Sequence, residues 1–420
     1  MARRRAIGLA LVAVLAVVGG GLMWLGRDRS GGPPHPDHWD ARILPLVHFV
    51  EQARGLTFRH PVAVEYLSDA DFRRAVAGEH TEPEQQERDD EATARALGLP
   101  VGKNGLAAAG STLSGEGITA YYDDGTGRVD VRGTDLDVAR RATIVHELTH
   151  ALQDQHFDIS RQGSYRSDDR TAAFEAVVEG DAVRMEDAYV ESLTKSDQDA
   201  YDAEQAAGDA AYDAGIKDVP DWLSATTDFP YSVGESFTKA VAAAGGRAAV
   251  DRALRTPPPA VAEIMQPARY LQGARPRAVP APAAPAGDRV VKRNDLGALK
   301  WLLLLAERVP AGDALRAADA WGGDAYLAYE DAGRLCVKAD FEGAAPGGDD
   351  VMAAALTGWA RAMPRASGAA VTHRAGVVEL VSCDPGAAAF AGSSVRGSHV
   401  DEAMKLLTDR AAAAVSPRGN

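Results

Sequence analysis

The sequence predicts an α+β protein that is mainly helical, with a small sheet and a further α+β region at its C-terminal end. Three observations support this fold class: long stretches with apolar residues at helical spacing, a few short alternating runs typical of strands, and a hydrophobic content of 46%. The 420 residues suffice for two folded units of ordinary size. The net charge of -15 argues against a nucleic-acid partner, because such proteins need a basic face to meet phosphate.

We interpret residues 1–30 as a short cytoplasmic stub followed by a transmembrane signal anchor, with a tether at 31–40. An uncharged run over residues 6–26 follows three arginines. At about 1.5 Å per residue, this run spans a hydrocarbon core of about 30 Å. It is longer than the apolar region of a secretory signal, which favours an uncleaved anchor over a cleaved one. We therefore expect a single-pass protein of the cell membrane whose body lies outside the cytoplasm.

The first folded unit is expected over residues 41–256. The runs ITAYYDD and GRVDVRG flank a glycine-containing turn and predict a hairpin. Thr134, with Asp137 three residues later, resembles a capping box and predicts the start of a helix. The long helices of this unit are predicted over about 83–98, 134–156, 169–194 and 233–255.

The remainder of the chain is expected to form a linker and a second region. Residues 257–292 are crowded with proline and alanine, which is typical of a linker or an irregular wrap. Residues 293–420 combine apolar helices with strand-like runs, two of which carry the cysteines Cys336 and Cys383. Outside the cytoplasm these two thiols are able to form one disulfide, and two buried free thiols are the equal alternative.

The motif HELTH carries the most specific chemistry in the sequence. His146 and His150 stand four residues apart on a predicted helix, so both imidazoles reach one metal ion. Glu147 points about 100° away and reaches a metal-bound water instead. Zinc with three protein ligands lowers the pKa of such a water to about 7, and a neighbouring carboxylate takes its proton. The spacing therefore predicts two Zn2+ ligands and one catalytic base.

These residues resemble the gluzincin peptidases, in which a second helix supplies a glutamate as the third zinc ligand. Here that helix reads FEAVVEGDA, and its EGDA portion is similar to the EGxA signature of aminopeptidase-like members. The resemblance implies a zincin-like fold for residues 41–256 and a metal ligand at Glu179. Glu175, one helical turn earlier, is the alternative ligand. Asp181 is a candidate for orienting a ligand histidine through its second ring nitrogen, and a solvent-exposed capping or surface role is the equal alternative.

A different ligand set is suggested by His156, which follows His146 at the spacing of the third ligand in metzincins. Metzincins break the helix with a glycine, so that this histidine reaches the metal. Gln153 stands at the corresponding point, and the run ALQDQ contains no breaker. In a continuous helix, His156 would lie roughly 240° around the axis from His150. We therefore favour Glu179.

The motifs HELTHALQDQHFD, VVEGDA, FPYSVGESF and WGGD are similar to those of uncharacterised membrane-anchored zinc metallopeptidases of actinobacteria, over about residues 40–330. We expect hydrolysis of peptide bonds by a zinc-activated water, a peptide or protein substrate, and membrane contact through the N-terminal helix. The alternative is a catalytically inert, zinc-stabilised envelope binding or scaffold protein. Tyr231, expected in a loop, is a candidate oxyanion donor, although the role of a packed loop aromatic is favoured. A further hypothesis is that ITAYYDD or GRVDVRG offers an edge strand to an extended peptide.

Overall fold

A computed structural model describes the protein over residues 34–77, 84–115, 118–374, 376–390 and 398–415. The predicted membrane segment, residues 6–26, and the first part of the tether lie outside these ranges. Within them, no helix combines the length and the apolar character needed to cross a membrane. The signal anchor therefore stays a prediction.

The fold is α+β and predominantly helical, as the sequence predicts. The helices that precede residue 256 are α1 (Leu44–Arg54), α2 (Asp69–Ala77), α3 (Glu84–Ala96), α4 (Leu106–Gly115), α5 (Val138–Phe157), α6 (Asp168–Ser192), α7 (Lys195–Gly215) and α8 (Asp221–Arg255). Those that follow are α9 (Val261–Met265), α10 (Pro267–Leu271), α11 (Gly297–Ala306), α12 (Ala311–Asp319), α13 (Gly348–Ala362) and α14 (Val400–Val415).

A three-stranded sheet lies in the first unit. Its strands are β1 (Ala63–Leu67), β2 (Ala120–Asp123) and β3 (Arg128–Arg132), in the order β1-β3-β2. The antiparallel pairing of β2 with β3 confirms the predicted hairpin, and β1 joins the other side of β3 in parallel. The edge expected in this hairpin is therefore β2, because β3 is paired on both sides.

A five-stranded antiparallel sheet forms the centre of the C-terminal region. Its strands are β4 (Arg289–Asn294), β5 (Trp321–Asp331), β6 (Arg334–Gly343), β7 (Ala370–Arg374) and β8 (Val377–Cys383), in the order β4-β5-β6-β8-β7. Cys336 on β6 lies opposite Cys383 on β8, and a disulfide joins them. The bridged alternative is thus the one present.

The boundaries of two helices near the HELTH motif differ from the predicted ones. Asp137, rather than Thr134, caps α5, and its side chain accepts a hydrogen bond from Arg140 N at 2.8 Å. Helix α8 begins at Asp221 instead of near residue 233 and contains Pro230. A proline usually marks a helix start or a break, which is why the sequence pattern favours a later start.

Helix α6 packs between α5 and α8, and α14 covers another part of α8. One continuous hydrophobic core includes residues from both predicted units, from Leu46 on α1 to Leu407 on α14. The stretch 257–292 is part of this packing, since it contains α9 with its buried Ile264. The fold therefore fixes α5 and α6, which carry the predicted ligands, in the interior of the molecule.

Candidate metal centre

Three side chains that were predicted as metal ligands meet between α5 and α6. Oε2 of Glu179 lies 3.1 Å from Nε2 of His146 and 3.3 Å from Nε2 of His150. The two imidazole rings, one helical turn apart, have centroids 4.7 Å apart. One ligand atom from each of the three residues lies within 4.8 Å of the other two. Two imidazoles and one carboxylate are a donor set that suits a transition-metal ion such as zinc.

The hydrogen-bonding state of these atoms also fits a cation. Nε2 of His150 and Oε1 of Glu179 are buried and have no hydrogen-bond partner among the described residues. Orphaned polar atoms in a protein interior are costly, and a bound ion with its water would satisfy them. The residues present therefore fit a metal ion.

The electrostatics of the cluster favour positive charge. Burial alone would lower the pKa of His146, but hydrogen bonds to Glu179 and Glu186 outweigh it and raise the pKa to about 10. The carboxylates of Glu179 and Glu186 therefore stabilise positive charge at this position, whether a protonated imidazole or a metal ion carries it.

Glu147 lies beside this cluster and is completely buried. Its Oε2 accepts a hydrogen bond from the backbone N–H of Tyr122 on β2 at 2.7 Å, whereas Oε1 has no hydrogen-bond partner in the described part of the chain. Burial raises the pKa of Glu147 to about 7, against the opposing effect of the two histidines. A carboxyl group with such a pKa takes up and returns a proton near neutral pH, as a general base must.

The second ring nitrogen of each histidine is also bonded. Nδ1 of His146 lies 3.2 Å from Oε2 of Glu186, whose other oxygen accepts a hydrogen bond from Tyr201 Oη. Nδ1 of His150 lies 3.1 Å from Oε1 of Gln153. Asp181 therefore does not bond to either ring, and it bonds instead to Gln153. Such outer contacts fix the orientation and the tautomer of metal-binding histidines.

Sequence reasoning missed Glu186 and Gln153. Glu186 stands two helical turns after Glu179, so helical spacing alone assigns it to the same face of α6. Gln153 was noted only as the residue that replaces a helix-breaking glycine. The contacts of Gln153 form only when α6 packs against α5, and no pattern among neighbouring residues predicts that packing.

The alternative ligands lie outside the cluster of donor atoms. His156 stands in the last turn of α5, where its Nε2 lies 2.8 Å from the carbonyl oxygen of Thr57. Glu175 is partly buried, and burial together with the negative charge of Glu179 raises its pKa to about 8. Neither carboxylate oxygen of Glu175 belongs to the group of converging donor atoms, which Glu179 completes.

Tyr231 lies within α8 rather than in a loop. Its ring is stacked near that of His146, with 6.2 Å between centroids and 29° between planes. Burial, together with the charges of Glu179, Glu175 and Glu147, raises the pKa of Tyr231 well above its ordinary value. The hydroxyl group therefore keeps its proton at any physiological pH.

Comparison with known proteins adds no further assignment. No protein-family model matches this chain, and no curated protein or solved structure gives a significant match. The chemistry of the site rests on its own geometry.

Proposed function

We propose that this protein is a zinc-dependent peptidase that hydrolyses peptide bonds. One observation carries the proposal: two imidazole nitrogens and a carboxylate oxygen converge on one point, with the buried carboxyl group of Glu147 beside them. This combination supplies both a metal centre and a base. A purely structural zinc site would use a fourth protein ligand, whereas three donors converge here among the residues that the structure describes.

His146, His150 and Glu179 would bind the zinc ion, each through the atom that faces the other two. When bound, zinc polarises a substrate carbonyl group and lowers the pKa of a water molecule to about 7. Glu147 takes a proton from the attacking water and returns it to the leaving amine. The hydroxyl group of Tyr231 stays protonated, which suits a donor to the developing oxyanion.

The test uses the full-length chain and a variant in which Glu147→Gln removes the base. We expect one zinc per chain in both proteins, measured by elemental analysis. We expect cleavage of a fluorogenic peptide library by the parent, and a turnover lowered by roughly 10²- to 10⁴-fold in the variant. Loss of zinc from the variant would refute the role of Glu147 as a base that does not bind the metal.

A second candidate is a zinc-stabilised binding or scaffold protein without catalytic activity. The observation that favours it is the closure of the site, since His146, Glu147, His150 and Glu179 are all 0% exposed. In that case the parent would contain zinc but cleave no peptide of the library, and Glu147→Gln would change only its stability.

We also propose that the body of the protein lies outside the cytoplasm. The disulfide between Cys336 and Cys383 supports this location, because such bonds persist in oxidising compartments. The apolar run at residues 6–26 would supply the anchor. The test is a C-terminal fusion to a phosphatase reporter that is active only outside the cytoplasm. An active fusion would support the proposed location, and an inactive but folded fusion would place the body in the cytoplasm.

A further inference from the structure

We propose that Arg54, acting through Asp181 and Gln153, fixes the tautomer with which His150 binds the metal. Arg54 would be a positioning residue on α1 that bonds to none of the three ligands. The inference rests on the metal centre of the proposed function but not on peptide hydrolysis. A parent that binds zinc and cleaves no peptide would reject the peptidase alone.

The side-chain amide of Gln153 donates to two acceptors on α6. Its Nε2 lies 3.0 Å from the carbonyl oxygen of Val178 and 3.1 Å from Oδ2 of Asp181. A carbonyl oxygen and a carboxylate oxygen both accept hydrogen bonds, so the amide NH2 must face them. The orientation of this amide is therefore fixed by two independent acceptors, and its oxygen is directed towards His150.

The orientation of the amide decides where the proton of His150 lies. Oε1 of Gln153 is 3.1 Å from Nδ1 of His150, and an amide oxygen only accepts hydrogen bonds. Nδ1 must therefore carry the hydrogen, and Nε2 keeps its lone pair. Nε2 is the nitrogen that faces Glu179. The amide of Gln153 thus selects the tautomer that is competent to bind a metal ion at this point.

Asp181 is the side-chain acceptor that orients the amide of Gln153, and Arg54 determines where the Oδ2 atom of Asp181 lies. Nε of Arg54 donates to Oδ2 of Asp181 at 2.8 Å, the same oxygen that binds Gln153. Arg184 binds the other oxygen at 2.6 Å. The Arg54 side chain is 1% exposed and that of Asp181 is 0% exposed, so water does not compete for this contact.

Arg54 is itself fixed from a third helix. Its Nη2 donates to Oδ1 of Asp251 on α8 at 2.6 Å. A guanidinium group satisfies both carboxylates with one rigid, planar fork, which a lysine ammonium group does not reproduce. The chain of contacts therefore runs from α8 through α1 and α6 to the histidine on α5.

His146 provides an internal comparison. Its Nδ1 bonds directly to the carboxylate of Glu186 and does not depend on Gln153 or Arg54. The inference therefore predicts an effect of Arg54 on one of the two histidine ligands only.

The experiment measures zinc affinity by competition with a chelator, and the visible absorption of the cobalt-substituted protein, in the full-length chain. The variants are Arg54→Met, Arg54→Lys and Asp181→Asn. The control is Arg161→Met, because Arg161 is a half-buried arginine whose guanidinium group donates to the backbone carbonyls of Phe157 and Leu254.

We expect Arg54→Met and Asp181→Asn to weaken zinc binding by about ten- to hundredfold and to alter the cobalt spectrum. Arg54→Lys should fall between Arg54→Met and the parent. Arg161→Met should lower stability without changing either measurement. An Arg54→Met variant that is folded by circular dichroism, with the zinc affinity and cobalt spectrum of the parent, would overturn the inference.

In Arg54→Met, the buried carboxylate of Asp181 loses one of its partners, which by itself lowers stability. The double variant Arg54→Met/Asp181→Asn removes that carboxylate as well, and it therefore separates tautomer selection from simple destabilisation. Removal of both charges should restore much of the lost stability. Zinc binding should stay weak, because Arg184, which donates to the other oxygen of residue 181, would hold the asparagine oxygen and leave its NH2 facing Gln153. Recovery of zinc affinity together with stability would also overturn the inference. Absence of zinc from the parent would overturn the metal centre and this inference with it.

Discussion

The backbone of Gly180 on α6 lies against the backbone of Gly234 on α8. A Cβ atom at Gly180 would lie 2.1 Å from the carbonyl oxygen of Gly234, and one at Gly234 would lie 2.2 Å from that of Ala176. Thr238 Oγ1 donates to the carbonyl oxygen of Gly180 at 2.8 Å across the same contact. Because Glu179 precedes Gly180, this helix contact sets the position of the third predicted ligand.

Substitution Gly180→Ala should lower the free energy of unfolding by about 3 kcal/mol, because the added methyl group overlaps backbone that belongs to another helix. Urea denaturation measures the effect. The control is Gly208→Ala on α7, where an added Cβ meets nothing within 4 Å. That change should be neutral, or stabilising by up to about 1 kcal/mol. Equal unfolding midpoints for the parent and Gly180→Ala would contradict the close packing.

Substitution Glu179→Ala should abolish stoichiometric zinc binding, since it removes the carboxylate that faces both histidines. Glu175→Gln should retain zinc, because Glu175 contributes no atom to the group of converging donors and the amide copies the shape of its carboxyl group. His156→Ala should also retain zinc. Elemental analysis of the three purified variants decides between the ligand sets. Loss of zinc from Glu175→Gln together with its retention in Glu179→Ala would assign the ligand role to Glu175.

Stability should depend on pH through Asp168 at the start of α6. Burial alone would raise the pKa of Asp168, but Lys300 and Lys292, at 3.3 and 3.0 Å, outweigh it and keep the pKa below its ordinary value. The ionised form is thus stabilised in the folded state. This contribution is complete above the unfolded-state pKa of about 3.9 and disappears as the pH falls through the lower folded-state value.

Substitution Asp168→Asn should therefore cost about 1–3 kcal/mol at pH 7, and the difference from the parent should shrink below about pH 4. Urea denaturation over a pH series measures it. Asp199→Asn on α7 is the matched control, because Asp199 forms an exposed ion pair with Lys195 and should contribute almost nothing. A difference between the parent and Asp168→Asn that is independent of pH would exclude an ionic origin.

The disulfide should make a large contribution to the stability of the C-terminal sheet. It links residues with a sequence separation of 47, for which loop-closure entropy gives about 4 kcal/mol. The double substitution Cys336→Ser/Cys383→Ser should lower the unfolding midpoint, and a reductant should do the same to the parent only. A parent whose midpoint is unchanged by the reductant, with both thiols then reactive, would show that the bond contributes little.

Helical spacing was sufficient to predict that His146 and His150 share one face of α5, and alternation with a glycine-containing turn predicted the β2–β3 hairpin. The EGDA signature selected the glutamate that meets the histidines. Each of these features is encoded within a few neighbouring residues. Thr134 was wrongly taken as the cap because Thr134 and Asp137 have the spacing of a capping box, whereas Asp137 itself is the residue that caps the helix.

The contacts of the second ring nitrogens were not predictable in this way. Gln153, Asp181 and Arg54 are distant in sequence and become neighbours only when α1, α5 and α6 pack together. Asp181 was a candidate for a direct bond to a histidine, and the intervening Gln153 was not predicted. Side chains that act through one another leave no periodic pattern in a single sequence.

The complete burial of His146, Glu147, His150 and Glu179 has a kinetic consequence. An ion reaches or leaves such a site only when neighbouring elements open, so the free energy of opening adds to the barrier for exchange. Removal of metal by a chelator should then proceed at a rate that does not depend on the chelator concentration. Uptake should be fastest while the chain is still folding, when the three ligands are accessible.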